Sequence, residues 1–126
     1  MNSVYPTLVA LRDTLAGIAG VATCRIGLEA NLKPDDYPMI RIVPSRILAG
    51  GLIATRATEC LVYFGQPMHE FTAGLEGQYE ELLEMESAIC EHIEGDAVRG
   101  QVLETIADED RVEGYKLMAI RARVEG

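Results

Sequence analysis

Apolar and polar residues alternate with period two at both ends of residues 38–64, and this stretch organises the chain. In its first arm, residues 38–46, Ile40 and Ile42 share one face while Met39, Arg41 and Val43 share the other. In its second arm, residues 58–64, Cys60, Val62 and Phe64 oppose Glu59, Leu61 and Tyr63. The pattern predicts a long antiparallel hairpin at the centre of a sheet. Pro44 cannot donate to a ladder, so it marks an edge, a bulge or the end of its strand. Neither arm has a fully polar second face, and a sheet with that property usually has a helix or a neighbouring subunit lying on it. The connection, residues 47–55, places Ile47, Leu48, Leu52 and Ile53 around Gly50 and Gly51, which is unusually apolar for a loop. Contiguous exposed apolar surface often marks partner sites, so this tip is expected to contact another subunit, the alternative being a hairpin tip folded back on its own core.

Around the hairpin the periodicity alternates between helix and strand. Val4, Leu8, Leu11, Leu15 and Ile18 form one apolar stripe at three- and four-residue steps, predicting a helix over 3–18. Ser3 is its expected N-cap, Pro6 fits its first turn, and Gly17 and Gly20 end it. Residues 22–30 alternate as a half-buried strand with Ala22, Cys24, Ile26 and Leu28 inward. Turn formers fill 31–38. A second helix is predicted over 70–94, roughly 35 Å long, with Leu75, Tyr79, Leu82, Ile89 and Ile93 buried and Gly95 as its C-cap. A closing hairpin follows: a strand over 101–106, an acidic loop over 108–114, and a strand over 115–124 whose Met118, Ile120, Ala122 and Val124 share a face. The expected fold is one α+β domain over residues 1–126. A single antiparallel or mixed sheet of about five strands carries two helices, in the order α-β-β-β-α-β-β.

The net charge of −9 changes this picture because of where it sits. Residues 1–69 hold five acids and six bases, whereas residues 70–94 hold eight glutamates and no base. No Lys/Arg cluster suits the chain to condensing on phosphates, so nucleic-acid binding is not expected. No stretch approaches the roughly 20 apolar residues that span a bilayer, and no basic region precedes an apolar run at the N-terminus, so neither membrane nor signal peptide is expected. Cys24, Cys60 and Cys90 are an odd set without paired spacing and read as reduced thiols in a cytosolic setting.

Residue types that carry chemistry are present but not arranged for it. Asp108, Glu109, Asp110 and Glu113 lack the ligand spacing and glycine of a calcium loop. Cys90 and His92 point about 200° apart on a helix and cannot share an ion. None of Ser3, Ser45 and Ser87 sits in a nucleophile elbow. Glu80 and Glu84, one turn apart, read as a solvated face. His92 reads as a helix-end residue on the dipole. An enzyme is not expected, and no cofactor or metal is assigned.

The order of elements resembles the tail terminator family of long-tailed phages, including the minor tail protein U type, and related tail-completion and neck proteins. The carriers are the opening helix around Leu8 and Leu11, the strand Tyr37 to Pro44, the apolar tip 47–55 and the acidic helix 70–94. The resemblance implies a homo-oligomeric ring, usually hexameric, that caps the tail tube and meets head-completion proteins. DNA would pass through an acidic lumen rather than being bound. It implies location in the virion tail, and in the bacterial host cytoplasm during assembly. The family offers no catalytic motif to transfer, so only interface candidates follow: Ile47, Leu48, Leu52, Ile53, Arg56, Leu61 and Tyr63. The alternative is a small α/β ligand- or protein-binding module acting as a dimeric regulatory or carrier domain.

Overall fold

The computed structural model describes residues 3–27, 33–49, 56–67, 74–95, 97–112 and 115–125. Their elements run α1 (Tyr5–Ala16), β1 (Thr23–Ile26), β2 (Met39–Ala49), β3 (Arg56–Pro67), α2 (Gly74–Ile93), β4 (Arg99–Val112) and β5 (Tyr115–Glu125). The strands form one sheet in the order β1-β2-β3-β5-β4. β1 and β2 are parallel, and the other pairs are antiparallel. This is the α+β arrangement that the alternation predicts, with β3 in the middle.

The same alternation sorts the two faces. Ile40, Ile42, Cys60, Val62, Phe64, Met118, Ile120, Ala122 and Val124 point to one side and are buried there. Leu8, Leu11 and Leu15 of α1, with Leu82, Ile89 and Ile93 of α2, join the same cluster. Both helices therefore cover one face. Glu86 ties α2 to the sheet from the side, because Thr105 Oγ1 donates to its carboxylate at 2.8 Å. A Cβ at Gly100 would meet the carbonyl oxygen of Ile93 and its Cγ2 at 2.7 Å, so only glycine lets β4 pass this close to the end of α2.

Several boundaries differ from the pattern. Val4 is the N-cap of α1, and Ser3 Oγ instead accepts from the Tyr5 N–H at 3.1 Å. β1 stops at Ile26, where Gly27 takes a φ of 97° that a strand does not use; Leu28 lies outside the described residues. Ile47, Leu48 and Ala49 are not loop but strand, paired with Thr58, Ala57 and Arg56. Their apolar composition suited a strand as well as a sticky tip, and pairing satisfies their backbone groups. A register shift between Pro44 and Arg46 absorbs the proline. β4 likewise runs past Ile106 to Val112 through a shift between Ile106 and Asp110, so residues 108–112 are strand. In α2, Tyr79 is 42% exposed, while Gln78 takes the buried position. The inward stripe is thus Gln78, Leu82, Met85, Ile89 and Ile93, a pattern hidden by one polar member. The Leu75 side chain lies outside the described residues.

Candidate functional site

Among the described residues neither α-helix packs on the second face of the sheet; a short 3-10 turn, Pro34–Asp36, meets its β1–β2 edge, Met39, Arg41, Ala57 and Ala119 are buried on it, and this face is the candidate assembly surface. Its rows follow from the ladder registers. One row runs Arg25, Arg41, Tyr63, Ala119 and Ile106; the next Val43, Leu61, Arg121 and Glu104; the next Arg46, Glu59, Arg123 and Gln101. Val43, Leu61, Tyr63 and Ile106 are half-buried, giving an apolar middle. The three rows hold five arginines and two glutamates, an excess of positive charge in an acidic chain, although Arg41 is buried and Glu125, one row on, lies 3.6 Å from Arg123. Arg46 pairs with Glu59 at 3.3 Å and Arg121 with Glu104 at 3.5 Å. Exposed pairs of this kind contribute about 0–1 kcal/mol each, so they position charge more than they stabilise.

Arg41 sits apart from this polar rim. It is 1% exposed, its Nη1 donates to Thr23 Oγ1 at 2.9 Å and to the Ile40 carbonyl at 3.1 Å, and Thr23 Oγ1 donates to the Asp36 carbonyl at 2.7 Å. The guanidinium thereby joins the parallel β1–β2 edge to the turn over 34–36. Sequence alternation placed Arg41 on this face but carried no sign of its burial.

The seven interface candidates do not form one patch. Leu61, Tyr63 and Leu48 share the helix-free face, with Leu48 one row beyond Arg46. Ile47, 49% exposed, and Arg56 fall on the opposite side by the same alternation. Arg56 lines a groove of about 540 Å³ between the start of α1 and the ends of β3, β4 and β5, with Ser3, Thr7, Arg99 and Glu125 around it. Leu52 and Ile53 lie outside the described residues. Sequence reasoning places Val43 on the second face but does not name it as an interface candidate, and it misses Ile106 and Arg121, which join the patch only because β5 lies between β3 and β4.

Among the described residues, the three cysteines and His92 are held by burial and local contacts. Burial pushes the Cys24 thiol up to about 11 against the opposing charges of Arg41 and Arg12, and its Sγ donates to the Arg12 carbonyl at 3.5 Å. Burial alone pushes Cys60 up to about 12. Cys90 rises to about 11 through burial and then the neighbouring Glu86 carboxylate. The His92 ring nitrogen Nδ1 lies 2.7 Å from the Ala88 carbonyl, one turn back on α2. Among the described residues no three His, Cys, Asp or Glu side chains converge as a metal site, and no helix is long and apolar enough to cross a membrane.

Two outcomes follow from the thiols. Native protein at neutral pH is expected to leave Cys60 unlabelled by an aromatic disulfide reagent, while urea-unfolded protein reacts at all three cysteines. Native labelling of Cys60 would contradict its burial. Because folded thiols keep their protons above the ordinary value of 9.0, the folded state binds more protons than the unfolded chain at alkaline pH. Their contribution to stability is present below about pH 9 and is lost as pH rises toward about 12. Comparison with protein-family models and with curated proteins finds no match for this chain.

Proposed function

We propose that this chain is a structural assembly protein of a phage or prophage tail, similar to a tail terminator. Copies close into a ring on the tail tube and present a surface to head-completion proteins. The observation that carries this is the sheet itself: both helices lie on one face, leaving an apolar, arginine-rimmed face with neither α-helix over it. Heterologous contacts between such subunits give rings when the rotation closes. The net charge of −9 keeps an assembled ring from condensing on DNA phosphates, so the genome can pass through. The partners are copies of this chain, the tail tube and head-completion proteins, and the place of action is the virion tail after assembly in the host cytoplasm. No catalytic step, cofactor or metal belongs to this function.

The apolar tip supplies a test. Leu52→Asp with Ile53→Asp is expected to leave the circular dichroism spectrum unchanged and to abolish concentration-dependent assembly in sedimentation velocity. Loss of the fold in place of loss of assembly would put these two side chains in the core. The alternative, a dimeric ligand-binding module, rests on the groove of about 540 Å³ beside Arg56. It gains if the protein stays a strict monomer or dimer and a small anionic metabolite binds at micromolar concentration, with Arg56→Ala abolishing that binding.

A further inference from the structure

The outer face of α2 and the helix-free face of the sheet are opposite in charge and alike in plan. Glu76, Glu80, Glu84 and Glu91 stand exposed on α2, and no base occurs anywhere in residues 70–94. Among these carboxylates Leu83 is 51% exposed and Tyr79 42%. Like charges one turn apart on a helix repel, so this stripe costs the isolated chain stability. It cannot meet its own copy across a two-fold axis without doubling that repulsion. The sheet face carries the complement, a half-buried apolar centre at Val43, Leu61 and Tyr63 beside the exposed Arg121, 3.5 Å from Glu104, and the half-buried Arg123, 3.6 Å from Glu125.

We infer that the acidic face of α2 in one copy docks on the arginine-bearing sheet face of the next, head to tail. This rests on the assembly function proposed above and names its contact. Leu83 and Tyr79 supply the apolar anchors, and the glutamates meet Arg121 and Arg123 at the rim. An apolar centre within a charged rim is the ordinary plan of an interface, and opposite charge fixes its orientation. Because the two surfaces differ, the contact is heterologous and repeats around a ring.

Paired charge reversals test this. Glu80→Lys with Glu84→Lys, and separately Arg121→Glu with Arg123→Glu, are each expected to raise the apparent dissociation constant by about 100-fold, because each sets like charges face to face. Mixing the two reversed proteins in equal amounts is expected to restore assembly, since each then offers the face the other needs. The milder pair Glu80→Gln with Glu84→Gln, which keeps side-chain shape, is expected to flatten the salt dependence of assembly. Normal assembly of the helix-reversed protein would overturn the inference in favour of sheet-to-sheet or other contacts, while leaving ring formation intact. Failure of the mixture to assemble, with both variants folded by circular dichroism, would also overturn it. A wild-type chain that never associates would overturn it together with the assembly function.

Discussion

Phe64→Ala is expected to lower the unfolding free energy by about 3–5 kcal/mol. Phe64 lies on the central strand β3, is wholly buried, and stands between Ile40 of β2 and Met118 of β5 in the row beneath the helices. Truncation removes the ring's transfer free energy and opens a cavity that three paired strands cannot collapse into. Domains of this size are stable by about 5–15 kcal/mol, so the loss is a large share of the whole. The urea midpoint should fall with an unchanged slope, because the surface exposed on unfolding stays nearly the same. A cost below about 1 kcal/mol would show that the ring is not packed between sheet and helices.

Arg41→Ala is expected to cost about 2–4 kcal/mol, through a cavity and the loss of hydrogen bonds to Thr23 and the Ile40 carbonyl. Arg41→Lys is expected to recover little of this. A compact ammonium cannot reproduce the planar guanidinium whose Nη1 reaches both Thr23 and the Ile40 carbonyl, and, being more strongly hydrated in water, it costs more to bury. The effect should be local to the β1–β2 edge, so amide exchange in Thr23–Ile26 should accelerate more than in β3. Wild-type stability of the lysine variant would mean that the charge alone is needed there, not the guanidinium geometry.

The parts of the fold written in period two or in helical steps were legible from residues alone. Ile40, Ile42, Cys60, Val62, Phe64 and the Met118–Val124 set each fell on the core face that alternation gave them. What misled was residue type standing in for geometry. Ile47, Leu48 and Ala49 look adhesive, but they continue β2 because Thr58, Ala57 and Arg56 are there to pair with them. The acids after Ile106 look like a turn, but β4 continues through a register shift opposite Leu117 and Lys116. In α2 an aromatic at 79 outweighed an amide at 78, and the helix turns the amide inward. The second face of the sheet is half visible in the sequence. Alternation puts Met39, Arg41 and Val43 on a second face that needs cover, but its continuation through Arg121 and Ile106 depends on β5 lying between β3 and β4. That order is a long-range choice which local patterning does not record.

Self-association is the property on which the functional account turns, and it can be observed directly. Sedimentation velocity over a concentration series, with negative-stain images of the most concentrated sample, should show one large species growing at the expense of monomer. The images should show closed rings of a single diameter that fall apart as salt is raised. A single monomeric boundary at every concentration and salt, with no rings on the grid, would contradict it.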